Sequence, residues 1–321
     1  MKISVLIPAH NAARTIAESI ASVLAQTVRP DEVIVLVDGA TDDTLAVLDR
    51  FKDLIKLVVQ ENQGIANARN RLVRQSGGDI LAFLDADDIW HPDYLATQAV
   101  AFRSYPQVVA GFTGHTRFSA EWHNRWPENR RHNEVHILDP LEFFTRYNKT
   151  TAVYGSMSYC AVARTALEKI GPEPFTTDLH AVEDSYLCYR LALLGSVAFS
   201  PAIRVAYRLT EGSLSVNRVR NLGRWVVAFD RLKDLYHQSG SPTLARRFDF
   251  YHASKQREFA KVLMGTGAVA PARYQLIRSM VNCRQPASLF KSAGLLALTF
   301  LPKTLQPRWS SGVRIVTGRR A

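Results

Sequence analysis

Short apolar runs and stretches of helical period alternate through the first third of the chain. "KISVLIP" near the N-terminus reads as a buried strand. Thr15 and Glu18 then stand in capping-box spacing, ahead of Ile16, Ile20, Val23 and Leu24 on one helical face. "DEVIVLVD" is a second apolar run, and "ATDDT" supplies cap-type residues before Leu45, Val47, Leu48 and Phe51. "IKLVVQ" predicts a third strand, residues 64–75 a helix, and "DILAFLD" a fourth strand. Strands separated by helices of about a dozen residues predict parallel pairing through right-handed crossovers. Ligands of such sheets sit beyond the carboxyl ends of the strands. Asp38 and Asp85 both fall at such ends, so two acidic strand ends can face one crevice.

The pattern changes after about residue 105. Residues 106–202 mix "VVAGFTG", a polar stretch "EWHNRWPENRRHNEVH", and "HAVEDSYLCYRLALLG". The last predicts a helix with Leu187, Leu191 and Leu194 on one face and Gly195 as its stop. From about residue 217 the chain reads as helical and basic. No internal repeat or low-complexity segment is visible.

Charge sharpens this division. The formal net charge is +11, but residues 1–202 carry 19 Lys and Arg against 24 Asp and Glu, whereas residues 203–321 carry 21 against 5. No acidic residue follows Glu258. A neutral-to-acidic front with a basic back points to a polyanionic surface as partner. The three cysteines, at 160, 188 and 283, form neither a disulfide framework nor a metal-ligand pattern, which fits a reducing compartment. The apolar run before Pro8 is too short for a signal peptide, and no run of about 18 apolar residues predicts a bilayer span.

The chemistry concentrates in "AFLDADDIW", where an apolar run ends in Asp85, Asp87 and Asp88. Packed carboxylates repel one another, and burying them unpaired is costly. Asp85 and Asp87, with the small Ala86 between them, form an oxygen site suited to Mn2+ or Mg2+. The plainer reading is a solvated acidic turn before Pro92.

The stretches "VLIPAHNAARTI", "VDGATDDT", "NQGIANARN", "FLDADDIWHPDYL" and "EDSYLCYRLALLG" occur in this order. Together they resemble family 2 of the glycosyltransferases over roughly residues 1–210. The resemblance implies an α/β GT-A fold, a Rossmann-like, mostly parallel sheet flanked by helices. It divides the chain into a catalytic domain over 1–215, with a donor half over 1–105 and an acceptor half over 106–215. A helical extension over 216–321 follows. It also implies an inverting, metal-dependent transfer from a nucleotide-sugar, usually a UDP-sugar. Asp38 matches the residue that bonds the uracil ring, although Val37 stands where the family usually has a second Asp. Pro8 and Ala9 match backbone bordering the base, Gly64 a close approach of the chain, and Arg69 a donor contact. Asp85 and Ala86 match the ribose and metal region, and Asp87 the direct metal ligand. Asp88 is read as a support for the following turn. Glu183 and Asp184 match the ED motif, with Asp184 as base and Glu183 as the alternate. Tyr207-Arg208 is followed by Leu209 and Thr210, where many members have a His. His123, His132 and His136 read as a surface loop.

Residues 293–301 are apolar, flanked by Lys291 and Lys303, with Arg308, Arg314, Arg319 and Arg320 beyond. That pattern predicts an interfacial helix on an anionic membrane surface. It places the chain in the cytoplasm, peripheral on the inner face of the plasma membrane, with a glycan or lipid-linked acceptor. No nucleic-acid motif appears, so nucleic acid is not an expected partner. Other classes fit less well. A haloacid dehalogenase-type phosphatase expects Thr or Val at position 89, where Ile stands, and no GxGxxG follows the first strand. A non-catalytic protein that keeps the fold would not need both the DxD and the ED carboxylates.

Overall fold

The computed structural model describes residues 1–119, 121–123, 125–127, 134–149, 156–210 and 218–301. Two compact units divide the chain, Met1–Ser213 and Leu214–Ala321.

The first unit is built on one sheet. Its opening strands are β1 (Ile3–Ala9), β2 (Glu32–Asp38), β3 (Lys56–Gln60) and β4 (Ile80–Phe83). Helices α1 (Ile16–Leu24), α2 (Thr44–Asp49) and α3 (Ile65–Gln75) connect them. These strands lie in the order β3-β2-β1-β4 and are all parallel, as the alternating pattern predicts. β1 and β2 are apolar without alternation because both sheet faces are covered. Leu6, Ile7, Ile34, Val35 and Leu36 are fully buried. β3 is the edge, and its Leu57 and Val59 stay exposed.

The second half of the sheet reverses direction. It comprises β5 (Ile89–Trp90), β6 (Val108–Phe118), β7 (His136–Leu138), β8 (Cys160–Ala163) and β9 (Ser196–Arg208). β8 runs antiparallel to β4 and β6, while β9 runs parallel to β6 and antiparallel to β5 and β7. Helices α4 (Tyr94–Ser104), α5 (Pro140–Lys149), α6 (Arg164–Ile170) and α7 (Glu183–Leu191) complete the unit.

Some local expectations fail. Thr15 does not cap α1 with its side chain. Its hydroxyl donates to Ala12 O, and Glu18 instead pairs with Arg208. The long-range ion pair takes the carboxylate that a capping box would need. Leu24, Leu45 and Leu194 are exposed, and α7 ends before Leu194. Gly195 is small for another reason, since a Cβ there would lie 2.8 Å from Gln107 O.

The second unit is helical, with α8 (Arg218–His237), α9 (Pro242–Gly265), α10 (Val269–Asn282) and α11 (Pro286–Leu298). Ser241 caps α9 by accepting from Leu244 N, with Pro242 in the first turn. Ala260, Leu263, Met264, Ala272 and Leu276 form its apolar core, against which Leu295 and Leu296 pack. A polar seam accompanies it. Arg257 donates to Ser288 Oγ at 2.7 Å, and Arg278 pairs with Asp230 at 2.6 Å. The predicted apolar run 293–301 is therefore partly spent inside the unit. Lys303, Arg308, Arg314, Arg319, Arg320 and His132 lie outside the described residues.

Candidate active site

The parallel sheet carries Asp85 to the carboxyl end of β4, and α7 starts with Glu183 and Asp184. Nearly a hundred residues separate these segments, and one side chain joins them. Arg69, on α3, donates from Nη2 to Asp85 Oδ1 at 2.8 Å and from Nη1 to Glu183 Oε1 at 3.0 Å. Its guanidinium also lies 5.6 Å from the Phe175 ring centroid. Arg69 is 4% exposed. Burial alone would weaken its charge, but Asp85 and then Glu183 more than offset this and hold it cationic. Its Nε has no hydrogen-bond partner among the described residues.

Asp85 is held at further points. Ser156 Oγ donates to its Oδ2 at 2.9 Å, and its backbone N–H donates to Ser158 Oγ at 3.0 Å. The turn that follows is braced from α1, where Ser19 Oγ lies 3.0 Å from Ala86 O and 2.8 Å from Asp88 O. Asp88 is fully buried and accepts from Arg208 N at 2.9 Å. Burial first, then the charges of Asp87 and Asp85, push its carboxyl well above the usual range. That is the geometry of a turn support.

Asp87 differs. Burial and the neighbouring Asp85 raise its carboxyl to about 6, against the weaker opposing pull of Arg208. Arg208 Nε donates to Asp87 O at 2.8 Å, and its Nη2 pairs with Glu18. Its guanidinium sits 4.5 Å from the Phe118 centroid.

The ED pair splits into two environments. Glu183 is 3% exposed, with Oε1 on Arg69 and Oε2 without a hydrogen-bond partner among the described residues. Asp184 is partly exposed and accepts from Ser185 N at 2.6 Å. Burial and the adjacent Glu183 raise its carboxyl to about 7, only partly countered by Arg69. The residue before this helix turn is unusual. Ala181 has φ +69, in the left-handed region that non-glycine residues avoid.

Asp38 ends β2, next to the edge strand β3, and is 4% exposed. Its Oδ1 accepts from Gln60 Nε2 and Gln63 N, and its Oδ2 from Gly64 N, all at 2.8 Å. Both of its oxygens are thereby committed to holding the 63–64 loop. Gly64 has φ +85, and that backbone, more than space, requires glycine. Pro8 and Ala9 are buried at the end of β1, paired with Leu36 and Val37. Ala86 is 8% exposed.

Sequence reasoning passed over Ser156, Ser158 and Phe175, and valued Arg208 only as a marker. A "SMS" triplet carries no recognisable signal. The ring of His115 stacks on Tyr159 at 4.4 Å, with burial lowering its pKa to about 4.

Asp85, Asp87, Asp88, Glu183 and Asp184 thus gather around Arg69 and Arg208 where β4 ends and α7 begins. A family model described as Glycosyl transferase family 2 matches residues 4–171. The chain belongs to this family. As a family 2 glycosyltransferase it is 35% identical over 228 residues to the Escherichia coli UDP-Glc:alpha-D-GlcNAc-diphosphoundecaprenol beta-1,3-glucosyltransferase WfaP, covering 69% of this chain and 83% of that protein. It is 41% identical over 98 residues to a second E. coli enzyme of the same description, WfgD, covering 30% of this chain and 39% of that one. It is also 40% identical over 108 residues to an uncharacterized glycosyltransferase of Nostoc, covering 32% and 34%. The last two matches span little more than a third of those relatives' own length. Among solved structures, Staphylococcus aureus TarS 1–349 in complex with UDP aligns with TM-score 0.65 and 16% identity, covering 93% of this chain and 90% of that one. A Pyrobaculum calidifontis mannosyltransferase in complex with GDP-Man and Mn2+ aligns with TM-score 0.57 and 21% identity, covering 92% and 80%. The fold is GT-A, as the family resemblance implied.

Proposed function

We propose that this glycosyltransferase moves a sugar from a UDP-sugar to a hydroxyl of a lipid-linked or polysaccharide acceptor, inverting the anomeric centre. The observation that carries the reading is the split within the ED pair. Glu183 is buried and tied to Arg69, whereas Asp184 is reachable and its carboxyl is raised to about 7. A general base works best with its pKa near the working pH. Asp184 takes the proton of the acceptor hydroxyl. The acceptor oxygen bonds to the anomeric carbon as the bond to the diphosphate breaks, and the diphosphate leaves with the electron pair. Glu183 is then a positioning residue that fixes the start of α7 against Arg69.

Among the described residues no group of three or more His, Cys, Asp or Glu forms a metal cage. A divalent ion that keeps most positions for water and phosphate oxygens needs only one or two carboxylates. Asp87 fits that requirement, since burial beside Asp85 disfavours its charge in the absence of a cation. Asp87, with Asp85, would hold Mn2+ or Mg2+, which neutralises charge on a departing diphosphate. Arg69 stays beside Asp85 on the donor side. Asp38, Gly64, Pro8 and Ala9 border the base, with Asp38 acting through the loop it clamps, and Ala86 leaves room beside the ribose. The UDP choice draws support from the names of the E. coli relatives and from the UDP complex of TarS. The lipid-linked acceptor rests on those relatives alone.

Calorimetric titration with UDP, GDP and dTDP, with and without Mn2+, tests this on wild type and Asp87→Ala. Metal-dependent UDP binding that disappears in the variant is expected. Preferential GDP or dTDP binding would overturn the donor, and undiminished binding by Asp87→Ala would overturn the metal assignment.

A further inference from the structure

The second unit turns an apolar stripe outward. On α10, Pro271, Tyr274, Ile277 and Val281 recur at spacings of three and four, which places them on one helical face. All are exposed, with Tyr274 at 59%, Ile277 at 49% and Val281 at 66%. The opposite face of the same helix buries Ala272, Leu276 and Ser279. On the neighbouring α11, Phe290 is 79% exposed, and Phe300 just beyond it is 66% exposed. Scattered exposed apolar residues are ordinary, but a continuous stripe with two further exposed aromatics marks a contact surface.

Charge identifies what covers it. Among the described residues, 259–301 hold Lys261, Arg273, Arg278, Arg284 and Lys291 and no Asp or Glu, with Arg278 paired to Asp230. Arg278 lies 5.6 Å from the Tyr274 ring centroid and Arg273 lies 3.9 Å from that of Phe300. Arg284 follows the end of α10, and Lys291 follows Phe290, both exposed. An apolar face with aromatic residues and cations at its margin suits the boundary between headgroups and acyl chains of an anionic leaflet. No helix among the described residues is long and apolar enough to cross a membrane, so contact along the surface is the remaining mode for these helices.

We infer that the α10 stripe of Tyr274, Ile277 and Val281 is the docking face of this chain for an anionic bilayer. The site thereby moves from the 293–301 run, whose Leu295 and Leu296 face the unit's own core, to the preceding helix. The inference rests on the proposed lipid-linked acceptor for its purpose but not for its test.

The test is co-sedimentation of the full chain with vesicles of phosphatidylglycerol in phosphatidylcholine and with vesicles of pure phosphatidylcholine. Wild type is expected to bind the anionic vesicles, and raised salt should weaken that binding. Ile277→Glu, and separately the triple variant Tyr274→Ser, Ile277→Ser, Val281→Ser, should each lose at least about tenfold in partitioning. These side chains are exposed, so the thermal midpoint should hold, and UDP binding is read on the same samples. Vesicle binding without nucleotide binding would remove the donor proposal and leave this one intact. Variants that bind vesicles as wild type does would overturn the inference. So would equal binding to neutral vesicles, or a vesicle-free dimer that either variant breaks, which would make the stripe a contact between copies.

Discussion

Arg69→Met tests the ion cluster most directly. The side chains of Arg69 and Glu183 are 5% and 4% exposed, so their pairing is shielded from solvent, while Asp85 at 25% is partly screened. Methionine keeps the unbranched apolar stem of arginine and lacks the guanidinium that lies over Phe175. It removes both donated hydrogen bonds. Glu183 then has neither oxygen satisfied, since its Oε2 already lacks a partner among the described residues. Removing one member of a buried pair costs about 3–5 kcal/mol, because the other charge stays buried and unpaired. For a unit of this size each kcal/mol moves the midpoint by roughly 2–4 °C, so a fall of about 6–20 °C follows. The assay is thermal unfolding at pH 5 and pH 8. The loss should be larger at pH 8, because at low pH the stranded carboxylate can take up a proton. Arg69→Met with Glu183→Gln should recover at least half of the loss, since glutamine carries no charge to strand. A fall below about 3 °C, or a double variant no better than the single one, would refute the claim that this cluster is stabilised by its mutual charges.

Further outcomes follow from the same geometry. Asp184 has its folded pKa raised to about 7, so kcat should rise as the pH passes up through that value, and a flat profile between pH 6 and 8 would exclude it as base. Because that raised pKa favours the protonated folded form, Asp184 costs stability as pH climbs from the usual carboxylate range toward 7. Asp184→Asn should therefore raise the unfolding midpoint more at pH 8 than at pH 5, while turnover falls by about 10²–10⁴ and UDP affinity is kept. Gly39→Ala should cost roughly 2 kcal/mol or more in denaturant unfolding. Gly39 has φ +63, and its Cβ would stand 2.5 Å from Asn62 N. Ala181→Gly should do the reverse, relieving a φ of +69 by about 1 kcal/mol, and a destabilised variant would show that the strain is misjudged.

How much of this was legible depended on whether a signal was local. β1 to β4 announced themselves because strands buried on both faces must be continuously apolar, and the helices between them fixed the parallel order. The second half of the sheet was not legible. β8 inserts between β4 and β6, yet nothing in "CAVA" states which strands it will join. The cap expected from Thr15 and Glu18 failed for the same reason, because Glu18 pairs with Arg208 some 190 residues away. Asp38 could be located at a strand end, but its commitment to the Gln63 and Gly64 amides could not. The α10 stripe inverts the usual rule that the apolar face of a helix points inward. Ala272 and Leu276 make as good a core face on paper as Tyr274 and Ile277, and only packing decides between them.

Arg69, Ser156 and the backbone amides explain why acidic residues can gather at the end of β4 at all. Each carboxylate there has a different answer to its own burial. Asp85 is divided between Arg69 and Ser156. Asp88 retreats into the core and meets the Arg208 amide, with its ionisation suppressed. Glu183 shares Arg69 with Asp85, so one guanidinium serves two acids. That leaves Asp87 and Asp184, the two whose carboxyls rise to about 6 and about 7 without a cation in direct contact. Arg69 is committed to Asp85 and Glu183, and the Arg208 guanidinium to Glu18 and the Asp87 backbone carbonyl, so neither cation is left to hold the carboxylates of this pair. Under the proposed reaction the two deficits differ in use. A divalent ion arriving with the donor would relieve Asp87, whereas Asp184 gains from being left unrelieved, since a carboxylate held by a cation would be a poor acceptor for a hydroxyl proton. The ordering has a measurable consequence. Bound Mn2+ and UDP should alter the pH profile of the Asp87 region, removing any titration near 6, and leave a single ionisation near 7 governing turnover. If substrate-saturated kcat instead titrates near 6 and shifts on replacing Asp87 with Asn, the roles assigned to the two carboxylates are reversed.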